Sequence, residues 1–345
     1  MGRLTTRFID EAQYVTKGGR LLRRFWSAKP FLLNWQITYR CNFKCDICSF
    51  WRDAHGTADE LDLEQVRTVA QRLQPLGPLI ISMAGGEPLI RKDLPDIAQI
   101  LSRDHYFTII SNGWYLTAEL ARRLYDSGLQ DAHISIDYAD PGRHDAMRKR
   151  QGSFDRALRA VELLRDARPN RRHRVHIMAV LLDDNIDDIE QLIELAEDLG
   201  VSVELSLYSH GRGRRPIRYP DRPVAERLVQ LKKKHPSTFV SMSEYLAGFD
   251  RAVDGDGIPE CHAGKTFFNI DDRGRVSRCI DTNDLPVGNL LDEPLEPLVD
   301  RLATQGQTHP CAECWTSCRG FGDIIAGPGN LVRTLGDFYQ VVRPL

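Results

Sequence analysis

The sequence predicts an α/β chain built on a parallel sheet, followed by a small cysteine-rich α+β region. Three observations predict this. Between about residues 31 and 207, short β-like runs alternate six times with amphipathic helical stretches. After Leu207 the alternation stops and a Gly-, Pro- and Arg-rich stretch begins. All eight cysteines then fall into two clumps about two hundred residues apart, with none elsewhere.

Residues 1–30 read as a helical prefix carrying Lys17, Arg20, Arg23, Arg24, Phe25 and Trp26. Such a helix either caps the sheet or lies at an interface with membrane or a hydrophobic substrate. Candidate strands follow at Leu32–Thr38, Leu79–Met83, Phe107–Ser111, Asp131–Asp137, Val175–Leu182 and Ser202–Leu207. Between them, helices are expected at Leu63–Leu73, Leu94–Arg103, Ala118–Ser127, Phe154–Arg165 and Ile186–Leu199. Six βα units with right-handed crossovers make either a partial barrel or a doubly wound sheet. Both bind ligands at the C-terminal ends of their strands. Ser209–Pro223 reads as a linker, Val224–Lys234 as a helix, and the chain from Asp254 as a small metal-supported domain. The division expected is 1–30 prefix, 31–222 core, 223–253 linker helix region and 254–345 cysteine-rich domain.

Composition excludes several classes. Lys and Arg total 46 against 48 Asp and Glu, a net charge of −2 in 345 residues, without the basic excess of a general nucleic-acid binder. Apolar runs such as Pro78–Met83 and Ile177–Leu182 fall far short of the ~20 residues of a membrane span. Met1–Asp10 holds no apolar core of a secretory signal, so a cytoplasmic location is expected. In that reducing compartment, clumped cysteines read as metal ligands rather than disulfides.

Cys41-Asn-Phe-Lys-Cys45-Asp-Ile-Cys48 follows the first strand with C-x3-C-x2-C spacing. Three thiolates on one loop hold three corners of a four-iron cubane and leave one iron open for catalysis. Zinc is the competing reading, but no fourth ligand has obvious spacing, His55 being the nearest option. The triad resembles the signature of the radical S-adenosylmethionine (SAM) superfamily, and further matches follow in order. Gly85-Gly86-Glu87-Pro88 resembles the family's GGE turn, which the resemblance assigns to the methionine amino group of SAM. Ser111-Asn112-Gly113 ends the third strand in the family's manner. Ser135-Ile136-Asp137 resembles the ribose-contacting segment, and Arg148 the guanidinium near the SAM carboxylate. Ile47 departs from the aromatic residue common before the third cysteine, with Phe50 and Trp51 nearby. The resemblance implies a partial (β/α)6 TIM-like barrel.

Cys261, Cys279, Cys311, Cys314 and Cys318 surround an expected hairpin with a turn at Asp271–Gly274. Together with Val287-Gly288-Asn289-Leu290 they resemble the SPASM/Twitch extension of that superfamily. Five cysteines suffice for one auxiliary [4Fe–4S] cluster with one left over. Cys261, Cys279, Cys311 and Cys314 are the first choice, and Cys318 is an equal candidate for the fourth place. A zinc ribbon is the alternative, disfavoured by the wide Cys261–Cys279 spacing.

Arg212, Arg214, Arg215, Arg218 and Arg222 crowd the loop after the sixth strand and read as an anion-recognising loop or a solvated linker. Tyr208 and His210 end that strand and are candidates for a proton relay. The resemblance implies reductive cleavage of SAM to a 5′-deoxyadenosyl radical and hydrogen abstraction, fed by a flavodoxin- or ferredoxin-type donor. The short prefix favours a small-molecule, lipid or cofactor-precursor substrate, and the basic-aromatic termini (Phe338, Tyr339 and Arg343 at the second) admit peripheral membrane contact. Two alternatives are a peptide-modifying maturase with a separate leader-binding partner, and an iron–sulfur carrier or sensor without SAM turnover.

Overall fold

A computed structural model describes residues 16–54, 56–213, 219–255, 258 and 260–342. His55, Arg214, Arg215, Arg218, Arg343 and the Met1–Asp10 segment lie outside the described residues, as does the side chain of Phe338. Helix α1 (16–27) precedes six strands: β1 Leu32–Thr38, β2 Ile80–Gly85, β3 Tyr106–Ser111, β4 Leu129–Ser135, β5 Arg174–Leu181 and β6 Ser202–Leu207. They are mutually parallel in the order β6-β5-β4-β3-β2-β1. Crossover helices are α2 Leu63–Leu73, α3 Leu94–Ser102, α4 Ala118–Asp126, α5 Pro141–Arg148, α6 Ser153–Ala167 and α7 Ile186–Leu199.

Local signals set the helix ends. Asp62 and Gln65 form a reciprocal capping box that starts α2. Gly200, in the left-handed region at φ 64°, ends α7. Along β1, Leu33, Trp35 and Ile37 pack outward into the main core, whereas Leu32, Asn34 and Gln36 face an inner cavity. The same two-residue period holds on β4 and β5, where Ile134, Val175, Ile177 and Ala179 are in the core. Their neighbours Asp131, His133, Ser135, Arg174, His176 and Met178 line the cavity. The sheet is therefore a partial barrel with an apolar outer face and a polar lumen.

The C-terminal hairpin differs from expectation. Strands β7 Phe267–Ile270, β8 Arg275–Ser277 and β9 Gly288–Asn289 continue the barrel's own sheet, in the order β1-β7-β8-β9. β7 runs parallel to β1 with Leu32 opposite Phe267 and Trp35 opposite Ile270. The predicted turn is present: Asp271 Oδ1 accepts from the amides of Arg273 and Arg275, and Gly274 takes φ 79°.

The chain from β6 to the end supplies α8 His210–Gly213, α9 Ala225–Lys234, α10 Ser243–Ala247, α11 Phe249–Asp254, α12 Leu295–Thr308 and α13 Ser317–Ile325, with two further short helices after it. α13 packs against β6, β7 and α10 and so fills the side of the open barrel. α1 lies beside it: Leu21 and Phe25 are buried with Phe31, Phe267 and Ile325, and Phe25 meets Phe31 edge-on at 4.6 Å. The described part of the prefix, α1, thus packs onto the barrel. Among the described residues, no helix is long and apolar enough to cross a membrane.

Candidate active site

The triad loop leaves β1 at the top of the lumen. Cys41, Cys45 and Cys48 all line one cavity of about 610 Å³, together with Gly85, Gly86 and Glu87 from the end of β2. No cysteine is in a disulfide. Burial pushes the Cys41 thiol up to about 12 and Cys48 to about 11, and each feels the charge of Cys45. Burial likewise raises Cys45, opposed by the adjacent Arg148 guanidinium. Thiols raised this way favour the protonated form, and a cationic iron cluster bound there would favour their thiolates as ligands. Among the described residues, no three His, Cys, Asp or Glu side chains converge as a site for a single metal ion. Three cysteine thiols on one loop that line a single cavity are the donor set a [4Fe–4S] cluster takes.

The Gly-Gly pair is dictated by close backbone approach. The Gly86 amide donates to Thr38 O at 2.6 Å, and the Glu87 amide to Arg40 O at 2.9 Å. A Cβ at Gly85 would lie 2.2 Å from Thr38 O, and one at Gly86 2.1 Å from Arg40 O. The turn is thereby locked onto the exit of β1, directly before the cysteines. Glu87 is 1% exposed. Its Oε1 accepts from Ser111 Oγ at 2.7 Å and from the Leu89 amide at 3.0 Å, and its Oε2 accepts from the Asn112 amide at 2.8 Å. The carboxylate therefore ties the ends of β2 and β3 together, with about one acceptor direction left for a ligand. Asn112 Nδ2 continues the chain to Asn42 Oδ1 at 2.9 Å, inside the cysteine loop.

Burial outweighs those hydrogen bonds and pushes the Glu87 carboxyl up to about 6. A carboxyl raised on folding makes the native state bind more protons than the unfolded chain between about pH 4.5 and 6. Apoprotein stability is therefore expected to fall through that window as pH rises, by about 2 kcal/mol from this group. Glu87→Gln is expected to remove that component, which urea melts at stepped pH check.

Asp137 and Arg148 meet each other. Arg148 Nε donates to Asp137 Oδ2 at 2.9 Å and Nη2 donates to the same oxygen, while Nη1 lies 3.9 Å from Cys45 Sγ. Ser135, two residues before Asp137 at the end of β4, lines the cavity. Ile47 and Phe50 also line it, whereas Trp51 instead donates Nε1–H to Cys48 O at 3.0 Å. Pro88 starts a short 3-10 turn and is buried away from the cavity lining.

Tyr208 and His210 are brought together but are absent from the cavity lining. Tyr208 packs with Phe43, Ile47 and Met147 in the apolar cluster under the cysteine loop, and its ring meets His210 and Tyr219 edge-on. That placement supports the loop rather than a proton relay to the cavity. Of the described arginines after β6, Arg222 pairs with Asp187 at 3.5 Å and Arg212 turns inward. Arg212 O accepts from the Ser49 amide at 2.9 Å, beside Cys48. Its guanidinium lies 3.5 Å from Asp281 and 3.8 Å from Cys318 Sγ. Arg212 is thus a link between the two cysteine groups.

Of the five later cysteines, Cys261, Cys279 and Cys318 are linked electrostatically with Cys314. Its charge is felt by Cys261 and Cys279, and Cys314 in turn feels Cys318. Burial raises Cys279 to about 12 and Cys314 to about 11. Cys311 enters through its backbone, its carbonyl accepting from the Cys261 amide at 2.9 Å.

The lumen residues were legible but unread: Asn34 and Gln36, Asp131 and His133, Arg174 and His176, Glu204 and Ser206 recur at two-residue spacing on their strands. Doubly buried parallel strands are ordinarily apolar, so this polar period is itself the signal of a lined cavity.

The description Radical SAM superfamily matches residues 35–196, which carry the triad, the Gly-Gly-Glu turn, Asp137 and Arg148. An AdoMet-dependent heme synthase of Methanosarcina barkeri is 31% identical over 292 residues, 78% of this chain and 82% of that one. The mycofactocin maturase MftC of Mycolicibacterium smegmatis is 29% identical over 269 residues, 72% of this chain; the chain spans only 64% of that relative. In fold, the chain matches Streptococcus suis SuiB bound to precursor peptide SuiA with TM-score 0.61 at 16% identity, over 85% of this chain and 69% of that one. Because the matched segment holds the very loop and turn that the barrel brings to its mouth, and a relative shares most of its length, the chain belongs to the radical SAM superfamily.

Proposed function

We propose that this enzyme is a peptide maturase that holds the reacting segment of a ribosomally made peptide in the barrel lumen, beneath the first cysteine loop. The reading is carried by the continuity of the cavity, which reaches from the triad down to Asp131 and Arg174 at the strand starts. The seven residues of β5 from Arg174 to Val180 span about 20 Å, room for an extended segment of about six residues. The maturase among its relatives and the peptide-bound fold neighbour support it over the small molecule that the sequence put first.

Cys41, Cys45 and Cys48 would hold a [4Fe–4S] cluster that, with SAM bound, supplies a 5′-deoxyadenosyl radical for hydrogen abstraction. The Gly85–Glu87 turn, braced by Ser111 and Asn112, would orient the amino acid end of SAM, and Ser135 would face it from β4. Arg148 would neutralise the buried Asp137 and sit against Cys45. α1 and α13 would close the open side and exclude water.

We assign Cys261, Cys279, Cys314 and Cys318 to one auxiliary cluster, Cys318 being preferred to Cys311 because its charge bears on Cys314 and its Sγ lies 3.8 Å from Arg212. Cys314→Ser is expected to lower reconstituted iron from about eight to about four atoms per chain while SAM cleavage persists. Cys311→Ser is expected to keep about eight.

The substrate test follows 5′-deoxyadenosine formed from SAM and dithionite, with and without an extract of the source cells. Stimulation abolished by pretreating the extract with protease supports the peptide reading. Protease-resistant stimulation overturns it in favour of a second reading, a small cofactor-like substrate, for which the 31% identity to a heme synthase over most of both chains speaks.

A further inference from the structure

We propose that the floor of the lumen is an anchor for a singly charged carboxylate at the far end of the substrate, with Arg174 as its donor. The proposal rests on the reading that the lumen is the substrate cavity. Arg174 opens β5 and is only 6% exposed, yet it lines that cavity. Its Nε and Nη2 have no hydrogen-bond partner. Buried guanidinium N–H groups without hydrogen-bond partners are costly, and Nε with Nη2 presents a fork that matches a carboxylate.

The neighbouring acids do not fill that role. Asp131 Oδ1 accepts from the backbone amide of Arg174 at 3.1 Å, not from its side chain. Glu204 Oε2 lies 3.1 Å from His133 Nδ1. His133 stacks on His176 at 4.6 Å, and His176 Nδ1 is 2.8 Å from Ser202 Oγ. Burial lowers the Arg174 pKa even with Asp131 and Glu204 opposing the shift, so these carboxylates leave its desolvation uncompensated. Asp131 and Glu204 repel any anion placed here, a doubly charged phosphate about twice as strongly as a singly charged carboxylate, so the lower charge is favoured.

The anchor is remote from the chemistry. Arg174 and the triad are at opposite ends of the strands, about 20 Å apart along β5. Midway, Asn34 Nδ2 and both polar atoms of Gln36 are also buried without partners. A substrate that reaches the floor therefore carries polar groups along its length, which disfavours a lipid. Binding energy collected at the floor would fix the reacting carbon at the mouth.

The test uses the reconstituted enzyme with SAM and two probe pairs: acetyl-hexaalanine as acid and as amide, and coproporphyrin III as acid and as tetraamide. Calorimetry is expected to give about tenfold or tighter binding of at least one acid over its amide. Arg174→Gln is expected to erase that preference, and Arg174→Lys to restore part of it, with iron content and circular dichroism unchanged. A peptide acid preference places the carboxylate on a peptide; a porphyrin preference places it on a small polycarboxylate. An unchanged preference in Arg174→Gln, or no acid preference in the wild-type enzyme, overturns the anchor. Met178→Trp, which narrows the cavity midway, separates the two readings. If it abolishes binding of acid and amide alike while Arg174→Gln changes nothing, the lumen is the site and the anchor is wrong. If it leaves both intact, the lumen reading itself fails.

Discussion

Replacing Cys45 by serine is expected to lower reconstituted iron from about eight to about four atoms per chain and to reduce 5′-deoxyadenosine to the level of a protein-free control. Cys45 is the most constrained of the three thiols. It is 6% exposed, packed with Phe43, Ile47, Tyr138 and Met147, and approached by Arg148 Nη1. A serine hydroxyl fits the space but is far less acidic than a thiol and binds iron poorly. The guanidinium that would stabilise a thiolate then faces a neutral group. Cys314→Ser is expected to lower iron by a similar number through the other cysteine group and to leave SAM cleavage in place. The pair of variants thus separates a catalytic cluster from an auxiliary one with one iron assay and one product assay. Eight irons retained in Cys45→Ser would sink the assignment of the triad.

The elements that the sequence specified best are those with local signals. β1, β6, α2 and α7 begin and end where the pattern puts them, because capping residues such as Asp62 and the left-handed Gly200 act over one turn. β4 starts two residues earlier than expected, at Leu129, because its first residues are chosen by pairing with β3 across the sheet. The position of β7 was beyond local reading. Phe267 pairs with Leu32 across more than two hundred residues, and nothing in either segment names the other. The triad and the Gly-Gly-Glu turn were legible as motifs, but their mutual bracing was not: Glu87 looked like a ligand group and is also the clamp on Ser111 and Asn112. The sequence offers Arg212 either to an anion-recognising loop or to a solvated linker. Only the fold reveals that its carbonyl holds Ser49 and its guanidinium meets Asp281 and Cys318.

The Asp137–Arg148 pair carries the second large prediction. The resemblance assigned the two residues to different parts of SAM, whereas the structure joins them. Asp137 is fully buried: its Oδ1 accepts from the Val180 amide at 3.0 Å, and its Oδ2 takes both Nε and Nη2 of Arg148. Removing only the arginine leaves a carboxylate in the barrel wall with one backbone donor. Arg148→Met is therefore expected to destabilise the apoprotein by about 3–5 kcal/mol. The double variant Asp137→Leu/Arg148→Met removes both charges and is expected to recover much of that loss, since a well-packed apolar pair often matches a buried ion pair. Urea melts of the wild type, both single variants and the double variant close the cycle, with a coupling energy of at least about 2 kcal/mol expected. A coupling under about 0.5 kcal/mol would mean that the two groups act independently. The double variant then asks a functional question that stability alone does not. If it folds and binds four irons at the triad yet fails to cleave SAM, the pair serves the cofactor directly. If it cleaves SAM, the pair's work is to hold β4, β5 and the cysteine loop in register.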